Sequence, residues 1–226
     1  MKRPVLLVPA IVLALLAAHN VTVEVAPAAE AVDLLADGFD GWTYDLSGKD
    51  VKMADVWSLE DGVLKCKGRP AGVLRTEKEY GDYVLELEWR WPGGGGNNGV
   101  LVHCGDPRTL GIWPRSLEVQ LHSGNAGDFW DIGTECDVPN EEARRNGRRV
   151  KNLTDDSEKP LGEWNHYRIR CEGDTVTVWV NGEQVNACTN LRNKKTGEPL
   201  TSGAISLQSE GTPIEYRNVH LTPIEK

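Results

Sequence analysis

Apolar residues recur at every second position in several short stretches of this chain, and turn-forming dipeptides separate the stretches. In residues 83–91 every odd position is tyrosine, leucine or tryptophan, and Glu86, Glu88 and Arg90 lie between them. A repeat of two is the repeat of a β-strand that buries one face and exposes the other to solvent. The pattern therefore predicts a chain built from strands.

The turns between the apolar stretches indicate hairpins. Asp61-Gly62 and Asn181-Gly182 each follow an apolar stretch, and both dipeptides favour tight hairpin turns. Further strands are predicted at residues 56–59, 63–66, 72–76, 98–103, 116–122, 165–172, 175–180, 203–209 and 214–222. One short helix is predicted near residues 140–146. Many short strands without alternating helices favour an all-β fold, a sandwich of two antiparallel sheets.

Residues 1–29 have the pattern of a secretory signal peptide. Lys2 and Arg3 precede an apolar stretch over residues 5–18, and small residues follow it near Ala28. The apolar stretch is shorter than the ~20 residues that a membrane-spanning helix needs, which disfavours an uncleaved anchor. We therefore expect residues 30–226 to form a single domain, exported to the periplasm or the extracellular space, with no membrane span after cleavage.

The charge balance argues against one class of partner. The chain has 34 Asp and Glu against 25 Lys and Arg, a formal net charge of -9. Nucleic-acid phosphates are bound through clustered Lys and Arg, so no nucleic-acid partner is expected. The basic stretch at residues 144–149 is interpreted as solvated, salt-bridged surface.

The five cysteines indicate neither a zinc site nor a disulfide scaffold, because no C-x-x-C spacing or ladder of close pairs occurs. A domain of this size is stabilised by its core alone, so buried free thiols are expected. If one bridge forms, Cys104 and Cys136 are the favoured pair.

Residues 117–122 carry the most informative strand pattern. Leucine and valine alternate there with Glu118, Gln120 and His122, so three side chains capable of acid, base or hydrogen-bond chemistry share one face. A solvated outer face is the alternative interpretation. The surrounding residues favour a binding site.

Aromatic residues flank this strand. Trp113 precedes it, and residues 123–163 follow it with little strand pattern, so a long irregular loop is predicted there. The loop carries a carboxylate and two adjacent rings, Asp128, Phe129 and Trp130. Sugars bind where flat apolar rings lie beside hydrogen-bonding groups, so a carbohydrate site is predicted.

A second strand repeats the alternation. In residues 204–210, isoleucine and leucine point to one face while Ser206, Gln208 and Glu210 share the other. We expect this polar face to contribute to the same carbohydrate site.

Ordered sequence blocks over nearly the whole mature chain resemble one bacterial family. The blocks include residues 57–64 (WSLEDGVL), 80–83, 87–90, 97–100 (NNGV), 112–114, 118–120, 123–130 (SGNAGDFW), 162–165, 180–182, 207–211 (LQSEG) and 216–219. From about residue 37 to residue 221 the chain is similar to the 3-keto-disaccharide hydrolase domain, a family of 3-keto-glucoside 1,2-lyases and hydratases. The resemblance implies a jelly-roll sandwich of the concanavalin A-like type.

The resemblance also implies an enzyme that cleaves glycosides oxidised to a ketone at C3, by β-elimination, hydrolysis of the glycosidic bond, or both. A 3-keto group acidifies the C2 proton, so this reaction needs a base, an acid and donors for the enolate oxygen. Glu118 or His122 would serve as base or acid, and Gln120 or His103 as hydrogen-bond donor. The residues expected to bind substrate are Trp113, Asp128, Phe129, Trp130, Gln208 and Glu210. A non-catalytic, lectin-like carbohydrate-binding module is the alternative.

The expected partner is a small carbohydrate, a 3-keto-glycoside, and no cofactor is expected. A divalent cation stays open as an alternative because four carboxylates follow His122 closely in sequence: Asp128, Asp131, Glu135 and Asp137. They lack the regular spacing of a calcium-binding loop.

Overall fold

The computed structural model describes residues 29–154 and 157–225. Nearly all the regular structure in these residues is β-strand. The expected signal peptide, except for its last residue, lies outside the described residues. No helix in the described part of the chain is long and apolar enough to cross a membrane.

Seventeen strands, one α-helix and one 3-10 helix follow one another along these residues. The strands are β1 (Val32–Asp33), β2 (Trp42–Leu46), β3 (Trp57–Glu60), β4 (Val63–Cys66), β5 (Gly72–Thr76), β6 (Tyr83–Arg90), β7 (Gly99–Cys104), β8 (Ser116–Gln120), β9 (Phe129–Ile132), β10 (Thr134–Asp137), β11 (Arg145–Asn146), β12 (Arg149–Val150), β13 (Asn165–Glu172), β14 (Thr175–Val180), β15 (Glu183–Asn193), β16 (Ala204–Ser209) and β17 (Ile214–Pro223). The helix α1 spans Glu141–Arg144, and the 3-10 helix spans Met53–Asp55.

The strands form two sheets in which all neighbours pair antiparallel. The first sheet has the order β10-β15-β14-β13-β6-β17-β4-β3, with β1 paired to β17. The second sheet has the order β11-β12-β9-β8-β7-β16-β5-β2. The predicted fold class, a two-sheet antiparallel jelly-roll sandwich, is confirmed.

The apolar faces of the two sheets form the core. Leu85, Leu87 and Trp89 of β6 and Leu117 and Val119 of β8 are each no more than 1% exposed and belong to one cluster. Burying each such side chain contributes about 1.5–3 kcal/mol. Because side chains alternate along β8, the burial of these apolar positions directs the polar positions of β8 to the opposite face of the second sheet.

Residues 123–163 depart from the sequence-based expectation of one long irregular loop. They contain β9, β10, β11 and β12, and the predicted helix is a single turn, α1. The sequence of β9 and β10 shows no apolar alternation, because each strand has only four residues. Each strand also carries a carboxylate that pairs with an arginine remote in sequence. Asp131 pairs with Arg145, and Glu135 pairs with Arg192.

The five cysteines are buried and free, so the bridge between Cys104 and Cys136 is wrong. Cys104 lies in β7 of the second sheet and Cys136 in β10 of the first, which separates the two thiols. The thiol of Cys104 contacts the Ser206 hydroxyl at 3.3 Å, whereas Cys136 lies next to Cys188.

Candidate active site

The face of the second sheet that points away from the core carries a cleft. It consists of two cavities of about 180 and 210 Å³ that share Asn97, Gln120 and Trp130 as lining residues. Glu118 on β8 is paired with Leu101 on one side and with Trp130 on the other. The cleft therefore lies over the centre of the sheet, across β7, β8 and β9.

The two lobes of the cleft differ in chemistry. The His122 lobe is lined by Asn97, Gln120, His122, Asn125, Asp128, Trp130 and Arg149. The Glu118 lobe is lined by Asn97, Leu110, Trp113, Glu118, Gln120, Trp130, Ile132, Arg148 and Glu210. The Glu118 lobe has two carboxyl groups and two tryptophan rings beside one guanidinium, whereas the His122 lobe has one carboxyl group, one guanidinium and one tryptophan ring. Strand alternation assigned Glu118 and His122 to one face of the same strand, and in the structure the two side chains line different lobes.

Glu118 and Glu210 are two carboxyl groups with different proton affinities. Burial, and then the charge of Glu210, raise the pKa of Glu118 to about 8, against the opposing effects of Arg148 and Gln208. Burial raises the pKa of Glu210 to about 6, again opposed by Arg148. Near neutral pH Glu118 is therefore protonated and Glu210 is mostly ionised. Such a pair supplies a proton donor and a proton acceptor in one lobe.

Asn98 holds the backbone of Glu210 in place. The buried Asn98 side chain accepts a hydrogen bond from the Glu210 N–H at 2.8 Å and donates one to the Thr212 carbonyl at 2.9 Å. The Asn98 carbonyl accepts a hydrogen bond from the Leu121 N–H at 2.8 Å. One residue thus joins the end of β16 to the end of β8. This fixes the residue that follows β16 relative to the strand that carries Glu118.

The first sheet supports β8 from below the cleft. The Tyr167 hydroxyl, buried in the core, donates a hydrogen bond to the Gln120 carbonyl at 2.8 Å. The Gln120 side-chain oxygen accepts from the Leu121 N–H at 3.2 Å. These contacts hold Gln120 at the junction of the two lobes and leave its NH2 group to serve as a donor.

Gly99 forms part of the floor beneath the Glu118 lobe. A Cβ atom at this position would lie 2.6 Å from Gln208 Oε1 and 2.9 Å from Glu118 Oε1. The two side chains thus occupy the space that any larger residue would need. Gln208 itself has no exposed surface and is not among the residues that line the lobe, so it does not contact the cleft as a substrate-binding residue would.

Asp128 anchors the wall of the His122 lobe. Its carboxylate accepts hydrogen bonds from Arg149 Nε at 2.6 Å and from the Asn152 N–H at 2.7 Å. Arg149 also donates to Asn125 Oδ1 at 2.8 Å, and Asn125 contacts His122 Nδ1 at 3.2 Å. Both oxygens of Asp128 have protein partners, so Asp128 shapes the lobe through Arg149 and Asn125.

A carboxylate that sequence reasoning missed holds the loop beside this wall. Glu158 Oε1 accepts hydrogen bonds from the Gly124 N–H at 2.8 Å and the Ala126 N–H at 3.1 Å. The loop that carries Asn125 is thus fixed by a residue remote in sequence.

The aromatic residues named from the sequence divide between the cleft and the core. Trp113 and Trp130 line the Glu118 lobe, and the buried Trp130 Nε1 has no hydrogen-bond partner among the described residues. Phe129 is fully buried in the core, because adjacent residues of β9 point to opposite faces.

His103 also points into the interior. Its ring lies 6.3 Å from that of Tyr83, and its backbone has a left-handed φ of 51° next to a register shift between β7 and β16. Burial, followed by the charge of Arg115, lowers the pKa of His103 to about 4. The structure therefore does not bring His103 to the cleft as a hydrogen-bond donor.

Two cleft residues escaped sequence analysis. Arg148 belongs to the basic stretch interpreted as solvated surface, yet it lines the Glu118 lobe and lies 5.3 Å from the centre of the Trp130 ring. Asn97 lines both lobes, and its Oδ1 has no partner in the described structure. The available signals were their positions directly after Gly147 and Gly96.

The four carboxylates considered as cation ligands are paired with arginines. Asp128 pairs with Arg149, Asp131 with Arg145, and both Glu135 and Asp137 with Arg192. Within residues 29–154 and 157–225, no group of three or more His, Cys, Asp or Glu side chains is arranged to hold a metal ion.

Comparison with known proteins now identifies the family. Residues 31–222 match the 3-keto-alpha-glucoside-1,2-lyase-like domain. The chain belongs to this family. Family membership places it among carbohydrate-active, hydrolase-like proteins and confirms the resemblance seen in the sequence blocks.

A relative in the family and two solved structures have similar chains. A 3-keto-disaccharide hydrolase of Bacteroides thetaiotaomicron is 24% identical over 161 residues, which cover 65% of this chain and 54% of the relative. The chain thus spans about half the length of that relative. A candidate glycosyl hydrolase of Parabacteroides distasonis has a TM-score of 0.60 and 22% identity, covering 86% of this chain and 94% of that one. The carbohydrate-binding module CBM66 of Bacillus subtilis has a TM-score of 0.55 and 11% identity, covering 80% and 95%. The two structures share the fold.

Proposed function

We propose that this protein cleaves glycosides that carry a ketone at C3, by β-elimination of the group at C1, with water then able to add to the product. The observation that supports this most directly is the pair Glu118 and Glu210, which line one lobe with pKa values of about 8 and about 6. Family membership supports the same substrate class.

In the elimination step, the Glu210 carboxylate takes the proton from C2. The electron pair of that C–H bond passes through the enolate into a C1=C2 double bond, and the C1–O bond breaks. The leaving oxygen keeps the electron pair of that bond and takes the proton of Glu118. Two carboxyl groups with separated pKa values suit this exchange because one can give and the other accept a proton at the same pH.

The enolate needs positive charge or hydrogen-bond donors near its oxygen. Arg148 and the NH2 group of Gln120 line the lobe beside the two carboxyl groups and would serve this purpose. Trp113 and Trp130 offer apolar rings that pack against a sugar.

Addition of water to the double bond reverses the proton transfers. Glu118, now ionised, takes a proton from the water that adds to C1, and Glu210 returns its proton to C2. The two steps together equal hydrolysis of the glycosidic bond, and both carboxyl groups return to their starting states. No covalent sugar–enzyme bond is formed, so the site needs no nucleophile.

The test is an assay on a 3-keto-glucoside with wild-type protein, Glu118→Gln and Glu210→Gln. We expect an unsaturated sugar or its hydrated product from the wild type and a loss of about 10²-fold or more in each variant. Glu215→Gln is the matched control, because Glu215 pairs with Arg90 on the first sheet, away from the cleft. Absence of both products with folded wild-type protein would refute the proposal.

A carbohydrate-binding module is the second candidate, favoured by the fold shared with CBM66 and by the two tryptophans of the cleft. It predicts saturable sugar binding that survives Glu118→Gln and is lost in Trp113→Ala or Trp130→Ala. Calorimetry with a 3-keto-glucoside, followed by product analysis, separates the two functions, since the enzyme consumes the 3-keto-glucoside and the module leaves it intact.

We also propose that the protein acts after export, because Lys2, Arg3 and the apolar stretch after them have the pattern of a signal peptide. Mass spectrometry of the protein from periplasmic and culture fractions is expected to find a mature N-terminus near residue 30. Full-length protein confined to the cytoplasm would contradict this.

A further inference from the structure

Gln208 and Glu118 both lie against Gly99, and Gln208 has no exposed surface. Neither Oε1 nor Nε2 of its amide makes a hydrogen bond of ordinary geometry in the part of the chain that the structure describes, although the amide lies close enough to Glu118 to lower the pKa of that carboxyl group. Buried amides are almost always hydrogen-bonded, because an unpaired polar group in the interior costs free energy. The position therefore requires an explanation beyond packing.

The amide faces the carboxyl group of Glu118. Gln208 Oε1 and Glu118 Oε1 both lie within 2.9 Å of the point where a side chain of Gly99 would begin. The absence of a side chain at Gly99 leaves the two groups facing one small gap. A rotation of either end group across this gap would bring the amide and the carboxyl into hydrogen-bond contact.

We propose that Gln208 is a positioning residue that stabilises the Glu118 carboxyl in both of its protonation states. The inference rests on the proposed function, in which Glu118 gives a proton and later takes one back. An amide carries an acceptor oxygen and two donor hydrogens on one side chain. Its oxygen accepts from the protonated carboxyl, and its NH2 group donates to the ionised one.

Other residue types would not serve both states. A methionine or leucine of similar size offers neither a donor nor an acceptor of comparable strength. A lysine would favour the carboxylate alone, and a second glutamate would favour the protonated acid. Because hydrogen bonds to an ionised group are the stronger ones, the amide stabilises the carboxylate more than the acid.

Three further ionisable groups act on Glu118 and stay in place when Gln208 is changed. They are Glu210 at the end of β16, Arg148 just before β12, and Tyr167 from the first sheet. A change in the pKa of Glu118 between the wild type and a Gln208 variant therefore measures the effect of the Gln208 amide.

The test follows the carboxyl carbon of Glu118 by ¹³C NMR against pH in the protein without substrate, with Glu118→Gln to assign the signal. In Gln208→Met we expect the midpoint of Glu118 to rise by about one pH unit. In the wild type, the side-chain ¹⁵N signal of Gln208 should shift with the same midpoint, and in Glu118→Gln this shift should vanish. Ser206→Ala, a neighbouring buried change on β16, is the control and should leave the midpoint unchanged.

An unchanged Glu118 midpoint in folded Gln208→Met, or a Gln208 signal that does not follow Glu118, would overturn the proposal. If Gln208→Met does not fold, Gln208→Asn withdraws the amide from Glu118 and should raise the midpoint instead; no rise would again overturn it. A shifted midpoint in a protein that never cleaves a 3-keto-glucoside would contradict the proposed function but support the contact between Gln208 and Glu118.

Discussion

Arg149 donates a hydrogen bond from Nε to the Asp128 carboxylate at 2.6 Å, and Asp128 is only 1% exposed. This ion pair lies in the wall of the His122 lobe. Removal of the guanidinium would leave the buried Asp128 carboxylate with one backbone donor. This would lower the free energy of unfolding, because a desolvated charge would lose its oppositely charged partner.

We therefore predict that Arg149→Met lowers the free energy of unfolding by about 2 kcal/mol. Urea unfolding measures this directly. The control is Arg108→Met, since Arg108 is 58% exposed and pairs with Asp45 at the surface. Its loss should cost less than about 1 kcal/mol. Equal losses in the two variants would contradict a special role for the buried pair.

The pH dependence of cleavage should follow the two carboxyl groups of the Glu118 lobe. The base Glu210 must be ionised, so kcat/KM should rise as the pH passes about 6. The acid Glu118 must be protonated, so kcat/KM should fall as the pH passes about 8. A bell-shaped profile with its maximum near pH 7 is expected. A profile that keeps rising beyond pH 9 would exclude Glu118 as the acid.

The residual activity of Glu210→Gln provides a sharper check. The acid limb of the profile should disappear because its titrating group is gone. The alkaline limb should move to lower pH, since the charge of Glu210 contributes to the raised pKa of Glu118.

Gly99→Ala should impair catalysis more than stability. The added methyl group would meet Gln208 Oε1 and Glu118 Oε1 and would push the carboxyl group away from its position in the lobe. We expect kcat to fall about 10²-fold, because small displacements of a catalytic group have large effects on rate. Steady-state kinetics and thermal melting are to be compared with Gly93→Ala, where a methyl group meets nothing within 4 Å. Wild-type kcat in Gly99→Ala would refute the proposed crowding.

His103 should make the fold sensitive to acid. Its pKa is about 4 in the fold, against an ordinary value of about 6.5 in the unfolded chain. The unfolded chain therefore takes up the proton first, and stability present above pH ~6.5 is lost as the pH falls toward ~4. The contribution is about 3 kcal/mol.

His103→Asn tests this, because asparagine tolerates the left-handed backbone at position 103 and does not titrate. The loss of unfolding free energy between pH 7.5 and pH 4.5 should be smaller in this variant than in the wild type. His220→Asn, a change at a surface histidine, should retain the wild-type loss. Identical losses in His103→Asn and wild type would show that His103 does not carry the effect.

Strand alternation alone identified much of the site. It assigned Glu118 and Gln120 to one face of β8, and Ser206 and Gln208 to one face of β16, because apolar partners on the other face had to be buried. It did not show that Glu210 lies beside Glu118. That relation depends on the pairing of β8 with β7 and of β7 with β16, which joins segments remote in sequence.

Other features depended on strands too short to show a pattern. Phe129 and Trp130 are adjacent aromatics, and only the pairing of β9 with β8 decides which of them reaches the cleft. Arg148 lines the cleft from a position fixed by a long-range backbone contact, in which its carbonyl accepts a hydrogen bond from the Asp131 N–H of β9 at 2.9 Å. In the sequence, nothing distinguishes Arg148 from the other arginines of residues 144–149.

The hydrogen bonds that Asn98 accepts couple the local opening of two strand ends. The amide hydrogens of Leu121 and Glu210 both bond to oxygens of this single residue. The Leu121 N–H also bonds to Gln120 Oε1, but neither hydrogen can exchange with solvent deuterium until Asn98 releases it, so the opening of Asn98 is a step common to both exchanges. The end of β8 and the residue after β16 then become mobile together. The spacing between the carboxyl groups of Glu118 and Glu210 is kept while the hydrogen bonds of Asn98 are formed.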